Sequence, residues 1–220
     1  MGSDNLHHKR KQRTRDSFTR KFSQRDSYDL ALVVCEGKKT EPGYLREICD
    51  HLKLNSANIK VIGVGADPLR IVEYAEKEFN KSKDYDRVFC LFDKDEHSSY
   101  QNAINKIKSL RHRSRNPIPI DYITSVPCFE YWLLLHFTDS TRPYNKTENK
   151  SSGDLLLSEI TRYLNTYHKG HENIFAMTKD RLSIAIKRSK RIYSEQKKQG
   201  TDNPSTNMHE LIEYLMNLKG

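Results

Sequence analysis

Residues 87–96 read RVFCLFDKDE, and the rest of the chain can be organised around this stretch. Val88–Phe92 is an unbroken apolar run, which predicts a strand buried on both faces, as in a parallel sheet. The run ends abruptly at Asp93-Lys94-Asp95. Alternation along an extended chain puts the side chains of Asp93 and Asp95 on the same side. The sequence therefore predicts two carboxylates together at the end of a buried strand.

A second apolar run has the same plan, with a single acid at its tip. Residues 30–36 read LALVVCE and end at Glu36. If the two strands are adjacent and parallel, Glu36, Asp93 and Asp95 converge at one edge of the sheet. Three converging carboxylates repel one another, and a divalent cation, Mg²⁺ or in its place Mn²⁺, relieves that repulsion. The alternative is that these acids are ordinary solvated residues of loops, turns and helix caps.

The overall composition favours an anionic partner. The chain has 220 residues and a formal net charge of +9. That length allows one large domain or a domain with an extension, and the positive charge favours nucleic acid as the partner. We find no apolar run of membrane length and no signal peptide, so we expect a cytoplasmic protein without membrane contact. The four cysteines form no CxxC pair, which is typical of reduced thiols.

The chain divides into three parts. Residues 1–28 carry eight lysines and arginines against three aspartates, which predicts a flexible basic tail that either follows a phosphate backbone or only aids solubility. Residues 29–137 alternate strand and helix patterns, which predicts an α/β core: a parallel sheet with right-handed crossovers and helices on both faces. Residues 138–220 are predicted to form a helical extension packed on that core.

Helix signals give approximate boundaries for several elements. Thr40 is predicted to cap a helix that runs to about Leu54. The apolar segment Val126–Phe137 predicts a core helix at the end of the sheet. In the extension, helices are predicted near residues 154–167, 179–196 and 205–218.

Several charged residues outside the two acidic strand ends are further candidates. Lys38 and Lys39 precede a helix N-terminus and would bind an anion, although this is no Walker pattern and the pair is alternatively just solvated. Arg111 and Arg113 form a basic cluster at a helix end and are candidate substrate-binding residues. Glu130, among apolar neighbours, is either an additional acid near the metal or a first-turn residue favoured by the helix dipole.

Four blocks of the chain together resemble the RloB-like proteins, small prokaryotic proteins similar to Toprim nucleases and linked to phage defence. The blocks are VVCEGKKTEP (33–42), VFCLFDKDEH (88–97), SVPCFEYWLLLHF (125–137) and DNPSTNMHELIEYL (202–215). The first two match the Toprim pattern of a glutamate after one strand and Asp-x-Asp after a later strand. The resemblance implies a Toprim-like, Rossmann-like fold, a divalent metal and a partner ATPase of the ABC type.

The resemblance also implies roles for individual residues. Asp93 and Asp95 would hold Mg²⁺, and Glu36 would be a ligand or a general acid/base. A further block, YHKG at residues 167–170, is similar to one found in relatives. Its Lys169 would stabilise charge developing on the phosphorane, or else be a structural or surface lysine.

The leading hypothesis is a metal-dependent nuclease that cleaves phosphodiester bonds in DNA or RNA, as the effector of an abortive-infection, anti-phage system. The alternative is a non-catalytic nucleic-acid-binding or regulatory subunit with a Toprim-like fold. Phosphoryl transfer on a nucleotide ranks third, because the sequence contains no Gly-rich phosphate loop and no base-stacking pocket that can be identified. The oligomeric state stays open, and a homo-oligomer is among the options.

Overall fold

The computed structural model describes residues 29–56, 58–94 and 98–218, so the predicted tail at 1–28 and the candidate ligand Asp95 lie outside the described residues. Within this part, five strands form one sheet. They are β1 (Ala31–Cys35), β2 (Ile59–Gly63), β3 (Arg87–Asp93), β4 (Ile120–Val126) and β5 (Ser205–Thr206). Their order in the sheet is β2-β1-β3-β4-β5, and only β5 runs antiparallel to its neighbour.

Helices cover both faces of this sheet. They are α1 (Thr40–His51), α2 (Pro68–Ser82), α3 (Tyr100–Arg111), α4 (Glu130–Leu134), α5 (Ser152–Ile160), α6 (Ile174–Thr178), α7 (Leu182–Gln199) and α8 (Met208–Asn217). Successive strand residues enter two separate apolar cores. Val33 packs with α1 and the C-terminal helices on the α1 face, and Val34 packs with α2 and α3 on the α2–α3 face. The predicted α/β fold is confirmed, and it is consistent with a Toprim-like, Rossmann-like architecture.

The pairing of β1 with β3 places the two acidic strand ends together. The strands are parallel, with Cys35 opposite Leu91, and the backbone N–H of Glu36 donates to the carbonyl of Leu91 at 2.9 Å. Glu36 and Asp93 therefore leave the sheet at the same edge, as predicted from the two apolar runs.

The C-terminal segment supplies a strand that the sequence did not predict. Ser205 and Thr206 pair with Val126 and Ser125 of β4, so the last helix begins at Met208 rather than at Ser205. The Asn207 side chain continues the pairing, accepting from the backbone N–H of Thr124 at 2.7 Å. These bonds occupy backbone groups that an unpaired edge of β4 would leave exposed.

Other boundaries also differ from the sequence-based expectation. The helix predicted over Val126–Phe137 is only Glu130–Leu134, because hydrogen bonds between residues three apart tighten the chain on both sides of it. The helix expected near 154–167 begins at Ser152, behind a capping box made by Ser151 and Asp154, and ends at Ile160. The helix expected near 179–196 is preceded by α6 and a 3₁₀ turn. None of the described helices has both the length and the apolar character needed to cross a lipid bilayer.

Candidate active site

A cavity of about 390 Å³ opens at the carboxyl edge of the sheet, where ligands of open parallel sheets bind. We call it the acidic cavity, because four carboxylates contribute to its wall. Its lining residues are Glu36, Gly37, Lys38, Lys39, Thr40, Glu41, Asp93, Phe129, Glu130, Lys169 and Gly170. These residues come from the ends of β1 and β3, the starts of α1 and α4, and the loop before α6.

Glu36 and Asp93 form the floor of the acidic cavity and are directly connected. Glu36 follows β1, and its Oε2 accepts a hydrogen bond from the backbone N–H of Asp93 at 2.9 Å. Burial raises the pKa of the Asp93 carboxyl well above its usual value. The negative charges of Glu41, Glu130 and Glu36 raise this pKa further. The site therefore brings like charges together where burial already disfavours the charged form.

Glu41 belongs to this cluster, although the sequence analysis gave it no role. It lies in the first turn of α1, is only 9% exposed, and its Oε1 accepts from the backbone N–H of Gly37 at 3.2 Å. A Cβ atom at position 37 would overlap this carboxylate, so the approach requires glycine there. Burial raises the pKa of Glu41, and the charges of Glu130 and Glu36 add to the effect. The signal that could have found it is an acid in the first turn of a helix that starts at the acidic edge.

Glu130 is the second buried acid of the α1 face. It is 3% exposed at the start of α4, and the hydroxyl of Tyr167 donates to its Oε1 at 3.2 Å. Glu130 therefore lies in the first turn of its helix, as one interpretation predicts, but it is buried and lines the acidic cavity. The Tyr167 contact, between residues 37 apart, could not be read from local sequence patterns.

Three lysines surround these acids. Lys38 and Lys39 precede α1 and are exposed, and Lys169 lines the opposite wall. The two walls are joined by a hydrogen bond from the backbone N–H of Gly170 to Oγ1 of Thr40, at 2.8 Å. Thr40 was predicted to cap its own helix, but its hydroxyl serves this long-range contact, and the helix begins without a side-chain cap.

Arg111 and Arg113 do not line the acidic cavity. The Arg111 guanidinium donates to the backbone carbonyl of Ile120 at 2.9 and 2.7 Å and pairs with Asp121. Arg113 pairs with Glu76. Since Ile120 begins β4, Arg111 lies at the amino edge of the sheet, away from the acidic cavity.

A hard divalent cation fits the chemistry of the acidic cavity. Within residues 29–56, 58–94 and 98–218, no group of three or more His, Cys, Asp or Glu side chains has an arrangement that could hold a metal ion. The predicted third ligand, Asp95, is outside these ranges. Mg²⁺ typically uses only one or two protein carboxylates and completes its shell with water, so Glu36 and Asp93 are compatible donors. Burial, and after it the neighbouring acids, raises the pKa values of Asp93 and Glu41, and a bound cation would oppose both effects.

Comparison with known proteins gives one match. A family model described as RloB-like protein matches residues 31–215, which is most of the chain and includes every described residue of the acidic cavity. Searches of curated proteins and of solved structures found no significant match.

Proposed function

Since the chain belongs to the RloB-like protein family, we propose that it is a metal-dependent nuclease that cleaves phosphodiester bonds in DNA or RNA. The observation that carries the proposal is the convergence of Glu36, Glu41, Asp93 and Glu130 on one cavity that also contains lysines. Carboxylates alone would repel a phosphate. A bound cation reverses that charge, and flanking lysines then favour an anionic substrate.

The proposed metal is Mg²⁺ or Mn²⁺, held by Glu36, Asp93 and Asp95. When bound, the ion would neutralise the phosphate and make an attacking water more acidic. Glu36 either ligates the ion or accepts a proton from that water. Its hydrogen bond from the Asp93 amide restricts the orientation of the carboxylate, which suits both roles.

The lysines are assigned to the phosphate. Lys38 and Lys39, next to the N-terminus of α1, would bind the non-bridging oxygens of the substrate. Lys169, on the opposite wall, would stabilise charge that develops during cleavage. Both walls are needed for this arrangement, and the Thr40–Gly170 bond keeps them together.

In the cell we propose a cytoplasmic effector of anti-phage defence, acting with an ABC-type ATPase. The role in defence and the ATPase partner are proposed from the family resemblance. A nuclease that needs this partner for activity would be silent when purified alone.

The test compares wild type with Glu36→Gln and Asp93→Asn, on plasmid DNA and on total tRNA. Each protein is incubated with Mg²⁺, with Mn²⁺ or with EDTA. We expect wild type to cleave one substrate class, and both variants and the EDTA samples to lose that cleavage. Glu73→Gln, which changes an exposed acid on α2, is the matched control and should cleave normally.

If the purified wild type cleaves neither substrate, each protein is expressed in cells together with the ATPase, and toxicity to the cells is measured. The proposal predicts toxicity for wild type and Glu73→Gln, and its loss in Glu36→Gln and Asp93→Asn. Equal toxicity of all four proteins would contradict a nuclease and favour the non-catalytic binding subunit.

A further inference from the structure

A second cleft lies at the carboxyl edge of the sheet, on the α2–α3 face. Its volume is about 210 Å³. We call it the tyrosine cleft, after the three tyrosines in its wall. Its lining residues are Tyr100, Ile104, Tyr122, Thr124, Val126, Tyr193, Gln196, Lys197, Thr201, Asp202 and Ser205. None of these residues lines the acidic cavity.

The tyrosines come from three different elements. Tyr100 begins α3, Tyr122 lies on β4, and Tyr193 lies on α7. Phe92 supports two of them from the sheet: its ring is 5.7 Å from Tyr100 in an edge contact and 6.5 Å from Tyr122 in a stacked one. Aromatic rings held at fixed positions around a cleft form a surface on which a flat ring can stack.

Gln196 gives the cleft an unmatched polar group. Its side chain is only 7% exposed, and its Oε1 has no hydrogen-bond partner among the residues that the structure describes. Buried acceptors are usually paired, because an unpaired one has lost its hydrogen bonds to water without a replacement. A rotation of the amide would turn this oxygen towards a ligand that carries an N–H donor.

The cleft also offers donors of its own. Burial raises the pKa of Tyr100 to about 12, so its hydroxyl keeps its proton at neutral pH. Lys197 lies at the rim, and Lys94 pairs with Asp202 at 2.5 Å while its Nζ lies 5.7 Å from the centre of the Tyr100 ring. Three aromatic side chains, an acceptor for an N–H group and nearby cations together match a nucleobase with its attached phosphate.

The position of the cleft connects it with the acidic cavity. Asp93 lines the acidic cavity, whereas the residues before and after it, Phe92 and Lys94, contact the ring of Tyr100 in the tyrosine cleft. On β4, Thr124 and Val126 line the cleft while Ser125, between them, faces the same side as Asp93. The two sites are thus separated by the tips of β3 and β4.

We propose that the tyrosine cleft binds one unstacked nucleobase of the nucleic acid. Base binding rests on the cleft alone. The further statement, that the same strand reaches the acidic cavity, rests on the proposed nuclease function. The substrate class is then a single-stranded or locally unpaired nucleic acid, because a base within a duplex cannot enter the cleft.

The experiment titrates AMP, CMP, GMP and UMP into ¹⁵N-labelled Asp93→Asn protein in EDTA, so that no metal ion in the acidic cavity draws the phosphate there. Ribose 5-phosphate is the control for binding through phosphate alone. We expect saturable shifts in residues of the cleft with at least one nucleotide, and none there with ribose 5-phosphate. Tyr193→Ala should weaken binding about tenfold, in line with the energy of one base–aromatic stack.

Further variants distinguish the loss of a stacking ring from a loss of folding. Tyr193→Phe keeps the ring and should retain most of the affinity, whereas Tyr163→Ala, at an exposed tyrosine outside the cleft, should change nothing. Thermal unfolding verifies that each variant is folded. Equal shifts with ribose 5-phosphate, unchanged affinity in Tyr193→Ala, or no binding at all would overturn the inference. Cleavage by the wild type is measured separately, so failure of the nuclease proposal and failure of base binding are distinguishable.

Discussion

At the two edges of the sheet, buried and partly buried carboxylates have pKa values shifted in opposite directions. At the amino edge, burial tends to raise the pKa of Glu76, but hydrogen bonds from Arg113 and Lys106 outweigh it and the pKa is lowered. At the carboxyl edge, burial raises the pKa of Glu41 and Asp93, and neighbouring acids raise it further. Pairing of the first kind serves stability. Crowding of like charges costs stability, and therefore indicates residues placed for binding or catalysis rather than for stability.

The largest expected effect comes from Asp93→Asn. It should lower cleavage on the order of 100-fold or more, the scale seen when one charged group of an active site is removed. It should also raise the melting temperature, because it removes a carboxylate whose charged form is disfavoured by burial and by the charges of Glu41, Glu130 and Glu36. Cleavage assays and thermal unfolding test the two effects independently.

Asp121→Asn is the matched change at the amino edge. Asp121 pairs with Arg87 at 3.0 Å and also with Arg111, so its loss should lower the melting temperature and leave cleavage unchanged. If both variants moved the melting temperature in the same direction, the contrast between the two edges would be wrong.

A second test extends the comparison to a buried histidine. His136 is 0% exposed; its Nδ1 lies 3.1 Å from the carbonyl oxygen of Trp132, and its Nε2 lies 3.3 Å from the hydroxyl of Tyr44. Burial lowers the pKa of His136 to about 4, so the unfolded chain binds a proton at higher pH than the folded protein. As the pH falls from about 6.5 to about 4, His136 alone should therefore lower the stability by about 3 kcal/mol.

Urea unfolding at several pH values measures this dependence. Burial also lowers the pKa of His209 to about 4, so His136→Gln should remove roughly half of the combined dependence. His112→Gln changes an exposed histidine and should retain all of it. A pH dependence unchanged in His136→Gln would show that His136 does not cause it.

The third test asks whether the acidic edge needs its two walls held together. Thr40→Val removes the acceptor of the Gly170 N–H, which should cost about 1 kcal/mol of stability. Because Lys169 adjoins Gly170, cleavage should also fall several-fold. Thr40→Ser keeps the hydroxyl and should behave like wild type in both measurements. Equal losses in Val and Ser would show that the hydrogen bond alone does not account for the effect.

The smallest effects concern single cations at the two edges. Lys39→Gln should reduce the slope of log affinity against log salt by about one, because one phosphate contact is lost. Arg113→Gln should leave that slope unchanged and cost about 0–1 kcal/mol of stability, since its guanidinium pairs with Glu76. Anisotropy of a labelled oligonucleotide between about 50 and 200 mM salt measures both. A reduced slope in Arg113→Gln would support its predicted role in substrate binding.

Local sequence patterns were sufficient to predict the two strands that position Glu36 and Asp93. β1 and β3 are buried on both faces, so their apolar runs are continuous, and the polar residue that ends each run marks the edge. This is why the meeting of Glu36 with Asp93 could be predicted. The prediction for Asp95 extends the same reasoning to a residue outside the described part of the chain.

The features that local patterns missed or left open depend on contacts between distant residues. Thr40 bonds to Gly170, 130 positions away, and no local rule separates that role from a helix cap. The partner of Arg113 is Glu76, so a cluster that looked available for substrate takes part in ion pairs. β5 has only two residues, both polar, and becomes a strand because β4 offers it an edge.

The pairing of β5 with β4 limits how this protein can be truncated and how its parts can be exchanged by recombination. A strand supplied by residues 205–206 completes a sheet that begins at residue 31, so the C-terminal part is a component of the sheet as well as a cover over it. A fragment that ends at Phe137 would expose the edge of β4 and invite self-association. Recombination between relatives could exchange the C-terminal part only for one that brings its own matching strand.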